Sequence, residues 1–141
     1  MRDRLALAHL PTPLWRSDAL DALLGTQVWV KRDDMTGGAE AGNKIRKLEY
    51  LMADALAARA TVVLTCGGLQ SNHARATALV AARLGLRSCL FLRTPTPSVA
   101  TPPTGNLLID RLVGAEIRLI TPEEYKRRMA VMERAAEELS A

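Results

Sequence analysis

The chain has 141 residues, 48% of them hydrophobic and 24% charged, the size of one domain with near-globular averages, which excludes an intrinsically disordered chain and a collagen-like repeat. Nineteen basic residues against fifteen acidic ones leave a net charge of +4, scattered and without a basic block; with one Phe, two Tyr and two Trp there are few rings for base stacking, so no nucleic-acid partner is expected. No apolar run approaches the ~18 residues that cross a bilayer, and the N-terminal MRDRLALAHLPTP lacks a signal peptide's apolar centre and cleavage site, so a cytoplasmic protein without a membrane partner is expected.

In chain order, QVWVKRD at 27–33 alternates around Val28 and Val30 and predicts a short strand. A loop bearing Gly37, Gly38 and Gly42 follows. From Asn43, a natural N-cap, Leu48, Leu51, Met52, Ala55 and Leu56 recur at helical spacing and predict a helix of roughly four turns with one buried face. TVVLTC at 61–66 reads as a strand buried on both faces that stops at Gly67 and Gly68. Ser71 can cap a second helix whose Ala74, Thr77, Ala78 and Ala81 form a small-residue packing face, with Gly85 as its stop. SCLFL at 88–92 is a further strand, and four of the seven prolines fall between Thr94 and Thr104, in an extended loop. A short helix at 107–112, a Gly114 stop and the strand EIRLI at 116–120 complete the alternation, which implies an α/β class with a parallel sheet. Tyr125, Met129, Met132, Ala136 and Leu139 predict one amphipathic closing helix. Cys66 and Cys89 lie in apolar runs and read as buried, reduced thiols, and His9 and His73 lie too far apart for zinc-type spacing, so no metal is expected.

Two segments break ordinary sequence rules. GNKIRK, 42–47, puts Lys44, Arg46 and Lys47 in the first turn of a helix, where the macrodipole is already positive and acidic side chains are favoured. A bound anion such as a phosphate turns that penalty into a site; without one, these are solvated charges at an exposed helix end. Lysine is scarce, with Lys31, Lys44, Lys47 and Lys126 the only four, and an amine, unlike a guanidinium, can shed its proton and attack a carbonyl. TCGGLQSNHAR, 65–75, joins a buried strand to a helix through two glycines, and brings hydroxyl, amide and imidazole groups to a helix N-terminus at the sheet's C-terminal edge. That suits a carboxylate or phosphate, although a Ser N-cap after a Gly-Gly turn is also common structural punctuation.

Together, KRDDMTGGAEAGNKIRKLEYLMADAL, TCGGLQSNHARATA and GNLLIDRLVGAEIRLI resemble the pyridoxal-phosphate enzymes of the D-cysteine desulfhydrase and 1-aminocyclopropane-1-carboxylate deaminase family, with the tryptophan-synthase-β-like, fold-type II architecture. The resemblance runs from Pro11 to Ile120. It implies the start of a large domain with the lysine helix in residues 1–58, and most of a small parallel-sheet αβα domain in 59–141, incomplete at its C-terminus. It also implies that Lys44 carries pyridoxal 5′-phosphate through a Schiff base and acts as a base, and that Lys47 contacts the cofactor phosphate. Ser71 matches the family's catalytic serine near the substrate carboxylate, Asn72 the residue that hydrogen-bonds the cofactor's 3′ oxygen, and the Asn72–His73 backbone supplies carboxylate donors. Arg46 is read as an exposed solubilising charge.

The implied reaction is β-elimination from a small amino acid. D-cysteine then gives pyruvate, ammonia and sulfide; aminocyclopropane-carboxylate deaminase and L-cysteate sulfo-lyase are the alternatives. Family members are more than twice this long and pair as homodimers. The phosphate cup, the group facing the pyridine nitrogen and the substrate-facing tyrosines would lie beyond Ala141, so this chain reads as a fragment that alone binds cofactor poorly. A non-catalytic half-enzyme completed by another polypeptide and a small phosphate-binding α/β module are the other readings; the chain lacks both GxGxxG and GxxxxGK[ST].

Overall fold

The computed structural model describes residues 3–97 and 102–140; the middle of the expected proline loop, 98–101, lies outside the described residues. The chain opens with β1 (Leu14–Arg16), α1 (Asp18–Leu24) and β2 (Trp29–Lys31), and β1 and β2 form a two-stranded antiparallel ribbon. Three residues of the predicted 27–33 strand are strand. Its partner β1 was not visible in the sequence, because Leu14, Trp15 and Arg16 are all exposed and leave no alternating pattern to read. Asp21 sets the turn, accepting from the Val28 backbone N–H at 2.6 Å and pairing with Arg16.

A three-stranded parallel sheet follows, in the order β3 (Val62–Gly68), β4 (Arg87–Arg93), β5 (Glu116–Ile120), with α3 (Asn72–Arg83) and α4 (Gly105–Leu112) as crossovers. The expected parallel α/β alternation is present. β4 is the central strand and only its two end residues are exposed. Its Leu90 and Leu92 pack with Ala74, Ala78 and Leu107 of the crossover helices, while Cys89 and Phe91 meet Ile120 and Ala135 on the opposite face. β3, by contrast, is only half-buried along most of its length because it is an edge strand, although apolar clusters lie on both its faces, with Val63 packed on one and Leu64 and Cys66 on the other. It also runs on through both glycines, with Gly67 opposite Leu92 and Gly68 opposite Arg93.

The layer on this opposite face of the sheet, over β3 as well as β4, is made by α5 (Pro122–Lys126) and α6 (Arg128–Ser140), two helices where periodicity predicts one. A capping box starts the first: Thr121 Oγ1 accepts from the Glu124 N–H at 3.1 Å, and Glu124 Oε2 accepts from the Thr121 N–H at 2.7 Å. The chain re-aims at Arg127 so that Tyr125, Val131, Met132 and Leu139 pack beside buried Ala135, and Met129 is left exposed. Cys66 and Cys89 are free thiols; burial pushes the Cys89 thiol up to about 11.

The helix α2 (Lys44–Ala57) lies on α3, joining Ile45, Leu48 and Met52 to Ala76, Val80, Ala81 and the N-terminal Leu7. Its buried stripe is Ile45, Leu48, Glu49, Met52 and Ala53, so Leu51 and Leu56 of the expected face are exposed. The stripe turns toward Glu49 because that buried carboxylate has a task. It accepts from the Leu7 and Ala8 N–H groups at 3.1 and 3.0 Å and pairs with Arg4 at 3.1 Å, which clasps the N-terminal segment to the helix.

Asp110 of α4 is the opposite case: it is 1% exposed and neither carboxylate oxygen has a hydrogen-bond partner. Burial raises its pKa from 3.8 to about 6, against the pull of the Arg75 charge. An acid whose pKa is raised by folding keeps its proton longer in the folded state, so this group's contribution to stability falls as pH rises from about 4 to about 6. Asp110→Asn is therefore expected to raise the melting temperature at pH 7.5 and to lose that advantage by pH 4. A gap that stays constant across this range contradicts the assignment.

Candidate functional site

The lysine turn is built by a loop pinned from inside. Thr36, fully buried, donates to the Asp33 carbonyl at 2.9 Å and accepts from the Gly42 N–H at 2.9 Å, closing residues 33–42 into a compact loop. Gly42 adopts φ +124°, a conformation open to glycine, and delivers the chain to α2. Asn43 is not the side-chain cap its identity suggested. Its own φ and ψ are already helical (−62°, −13°), and its Oδ1 accepts from Lys44 Nζ at 2.8 Å instead of from the backbone.

Arg46 is a second correction. It is not an exposed solubilising charge: Nη2 and Nε bind the two Asp33 oxygens at 2.7 and 3.0 Å, and Nη2 also reaches Thr12 Oγ1 at 3.3 Å. The guanidinium holds the Asp33 carboxyl below its ordinary range. One positive charge of the turn is thereby matched, and Lys44 and Lys47 remain without an acidic partner among the described residues.

The facing turn comes from β3 and α3. Ser71 is the N-cap, its Oγ accepting from the Ala74 N–H at 3.2 Å. The hydroxyl proton is still available, and the N–H groups of Asn72 and His73 have no helical acceptor, as the first turn of any helix dictates. Gly67 makes the close approach possible: a Cβ there would stand 2.5 Å from Ser71 Cβ and Oγ. His73 feels the charge of the lysine turn. Its half-buried imidazole is kept neutral first by burial and then by the charges of Lys47 and Lys44, so both lysines lie within electrostatic reach of the start of α3. It also borders an apolar cavity of about 250 Å³ between α2 and β3, which includes Leu48, Met52 and Thr77 in its lining and offers no charge to a ligand.

The five residues singled out in the sequence, Lys44, Lys47, Ser71, Asn72 and His73, thus sit at two helix starts held side by side. What sequence reasoning missed is the polar array around Asn72. Arg75 donates from Nη1 to Asn106 Oδ1 at 3.0 Å and to Asn72 Oδ1 at 3.3 Å, and from Nη2 to the Ala41 carbonyl at 3.2 Å, just upstream of the lysine turn. Asn106 donates to Asn72 Oδ1 at 3.0 Å and to the Gln70 carbonyl at 2.9 Å. SNHAR and GNLLID lie within the segments that carry the family resemblance, but a side chain 31 residues distant from its partner leaves no spacing to read.

The arrangement presents two cations, a hydroxyl, an amide and free backbone donors, with no carboxylate among these groups. That donor set fits a small ligand carrying a phosphate and a carboxylate. Among the described residues no group of three or more His, Cys, Asp or Glu could hold a metal ion, and no helix is long and apolar enough to cross a membrane.

Comparison with known proteins bears on the same segments. Residues 5–141 match the family described as pyridoxal-phosphate dependent enzyme. A bifunctional D-cysteine desulfhydrase/1-aminocyclopropane-1-carboxylate deaminase, mitochondrial, of Arabidopsis thaliana is 52% identical over 122 residues, covering 85% of this chain and 30% of that protein. A D-cysteine desulfhydrase of Salmonella paratyphi B is 44% identical over 118 residues, covering 82% of this chain and 36% of its own length. A solved structure of an ACC deaminase homologue superimposes with a TM-score of 0.87 at 41% identity, over 97% of this chain and 41% of that one. An O-ureido-L-serine synthase, at 21% identity and a TM-score of 0.70, shares the fold. The chain spans about a third of the length of the curated relatives described here.

The contact between Gly67 and Ser71 gives a matched pair of variants. Gly67→Ala must displace Ser71 and forfeit its cap, at a cost of about 1–2 kcal/mol, whereas a Cβ at Gly68 meets nothing within 4 Å. Denaturant titration should show the first variant clearly destabilised and the second close to the parent; equal losses contradict the close-approach argument.

Proposed function

The chain belongs to the pyridoxal-phosphate dependent enzyme family, and from that premise we propose that it forms the lysine-bearing part of a carbon–sulfur lyase acting on a small amino acid, with D-cysteine as the substrate of choice. The single observation that carries the reading is the pairing of two unmatched lysines with the open N-terminus of α3, where the neutral His73 feels their charge. In this reading residues 1–58 contribute the lysine helix of a large domain and 59–141 most of a small one, and the longer polypeptide works as a cytoplasmic homodimer.

The donor set fits the cofactor: Lys44 would hold it covalently through Nζ, Lys47 would face its phosphate, and Asn72 would donate to its ring oxygen. When bound, the cofactor supplies an electron sink for the negative charge that forms at the substrate's α-carbon. The substrate carboxylate is received by the Ser71 hydroxyl and the Asn72 and His73 N–H groups, where the helix dipole adds to the attraction. Lys44 Nζ takes the α-proton, placed for it by a carboxylate that is fixed on one side. His73, neutral and half-buried, adds no charge to compete with the two lysines for the anion. Over the full reaction D-cysteine and water give pyruvate, ammonia and hydrogen sulfide. The bifunctional name of the Arabidopsis relative supports deamination of 1-aminocyclopropane-1-carboxylate as the second reading.

Reductive trapping tests the site itself. In a polypeptide carrying this chain with the remainder of the family fold, treated with pyridoxal phosphate and borohydride and read by peptide mass spectrometry, Lys44 is expected to take the cofactor in preference to Lys31, Lys47 and Lys126, and Lys44→Ala to abolish the dominant adduct. Adducts spread evenly over the four lysines, or unchanged in the variant, would sink the assignment. Pyruvate release from D-cysteine by a polypeptide carrying this chain with the remainder of the family fold reads the activity, and 1-aminocyclopropane-1-carboxylate as sole substrate reads the alternative through 2-oxobutyrate.

A further inference from the structure

The hydrogen bonds around Asn72 have a direction, and that direction is set by a guanidinium. Arg75 can only donate. Its Nη1 stands 3.0 Å from the Asn106 side chain, so Asn106 must turn its oxygen toward Arg75. The Asn106 NH₂ is then forced to the other side, where it meets the Gln70 carbonyl at 2.9 Å and the Asn72 side chain at 3.0 Å. Asn72 receives that proton and a second from Arg75 at 3.3 Å, both on Oδ1. Its own NH₂ is consequently turned outward, and no acceptor takes it among the described residues. In the opposite flip, two NH₂ groups and a guanidinium would face one another, donor against donor.

We propose that Arg75 is a positioning residue that, directly and through Asn106, locks the Asn72 amide with its NH₂ toward the ligand, so that Asn72 can serve an anionic oxygen only as a donor.

Three further observations support the relay. The surroundings of Asn106 are fixed as well: its backbone N–H donates to Gln70 Oε1 at 2.8 Å, and Gln70 Nε2 donates to the Thr104 carbonyl at 3.1 Å, so neither amide is free to turn. Gly105, at φ +54°, leaves the room this needs, since a Cβ there would lie 2.5 Å from Gln70 Oε1. Arg75 itself is anchored by the Ala41 carbonyl, to which Nη2 donates at 3.2 Å, and this holds its Nη1 donor against the two asparagines. Its role is distinct from that of Lys44 and Lys47, which offer charge.

The expected recipient of the outward NH₂ is the cofactor's ring oxygen, so this end of the inference rests on the function proposed above. Side-chain amide NMR separates the two. In a polypeptide carrying this chain with the remainder of the family fold, titration with pyridoxal phosphate should move the Asn72 NH₂ resonances, while the Asn106 NH₂ protons exchange slowly with solvent. In Arg75→Ala, with the backbone amides of α3 and β4 unmoved, Asn106 exchange should rise roughly tenfold or more as its anchor is lost, and the Asn72 response should fade. Asn106→Asp, which keeps shape and the bond to Arg75 but sets an acceptor against Asn72 Oδ1, should turn the Asn72 amide over and also remove the response. It decides the matter if Arg75→Ala does not fold. Unchanged Asn106 exchange in a folded Arg75→Ala chain, or a full Asn72 response in Asn106→Asp, overturns the relay. If Arg75→Ala releases Asn106 but the cofactor never moves Asn72 in the parent, the relay stands and the cofactor assignment of Asn72 falls.

Discussion

Everything in this site depends on uncompensated positive charge at two adjoining helix starts. The first turns of α2 and α3 each expose unsatisfied N–H groups, and no acidic residue occupies the first turn of either. Lys44 and Lys47 increase the electrostatic cost where an ordinary surface helix would reduce it with Asp or Glu. The chain does supply a counter-charge to Arg46, through Asp33, so acidic neutralisation was structurally accessible one residue away. In the proposed function, the missing counter-charge at Lys44 and Lys47 is left for the ligand's anion to supply.

Such a site works only if the loops around it are stiff, and the stiffening is polar throughout. Thr36 closes the loop ahead of the lysines, Arg46 ties their turn to the exit of β2, and Arg75 bonds the Ala41 carbonyl from the neighbouring helix. The last two join segments 13 and 34 residues apart. Apolar packing holds α2 to α3 below this level, at Ile45, Leu48, Ala76 and Val80. The division follows from chemistry: apolar contact is non-directional and fixes distance, whereas hydrogen bonds fix which face of an amide or hydroxyl is offered.

How much of this was legible in the sequence depends on the range of the interaction. Period and punctuation exposed the parallel alternation, the Ser71 cap and the small-residue face of α3, because these are set by neighbours within a few residues. They overestimated how deeply β3 is buried, since edge or centre is decided by strand order and not by the strand. They missed the β1 ribbon for want of any buried face, and read Leu51 into the core of α2 where Glu49 belongs, because nothing local announces that a carboxylate will be enclosed by the backbone of residues 7 and 8. The motif residues were identifiable one by one, and the bonds among Arg75, Asn106 and Asn72 were not.

The proposed relay also accounts for amides, and not carboxylates, at the start of α3. A carboxylate in place of Asn106 or Asn72 would accept from Arg75 equally well, yet it would place negative charge beside the turn that must attract an anion. A second arginine would satisfy Asn72 but compete with Lys44 and Lys47 for the ligand. A neutral amide carries direction without net charge, and passes the guanidinium's donor character outward across two side chains. The start of α3 can therefore present an oriented donor while the strong charges stay where the amine chemistry requires them, on α2.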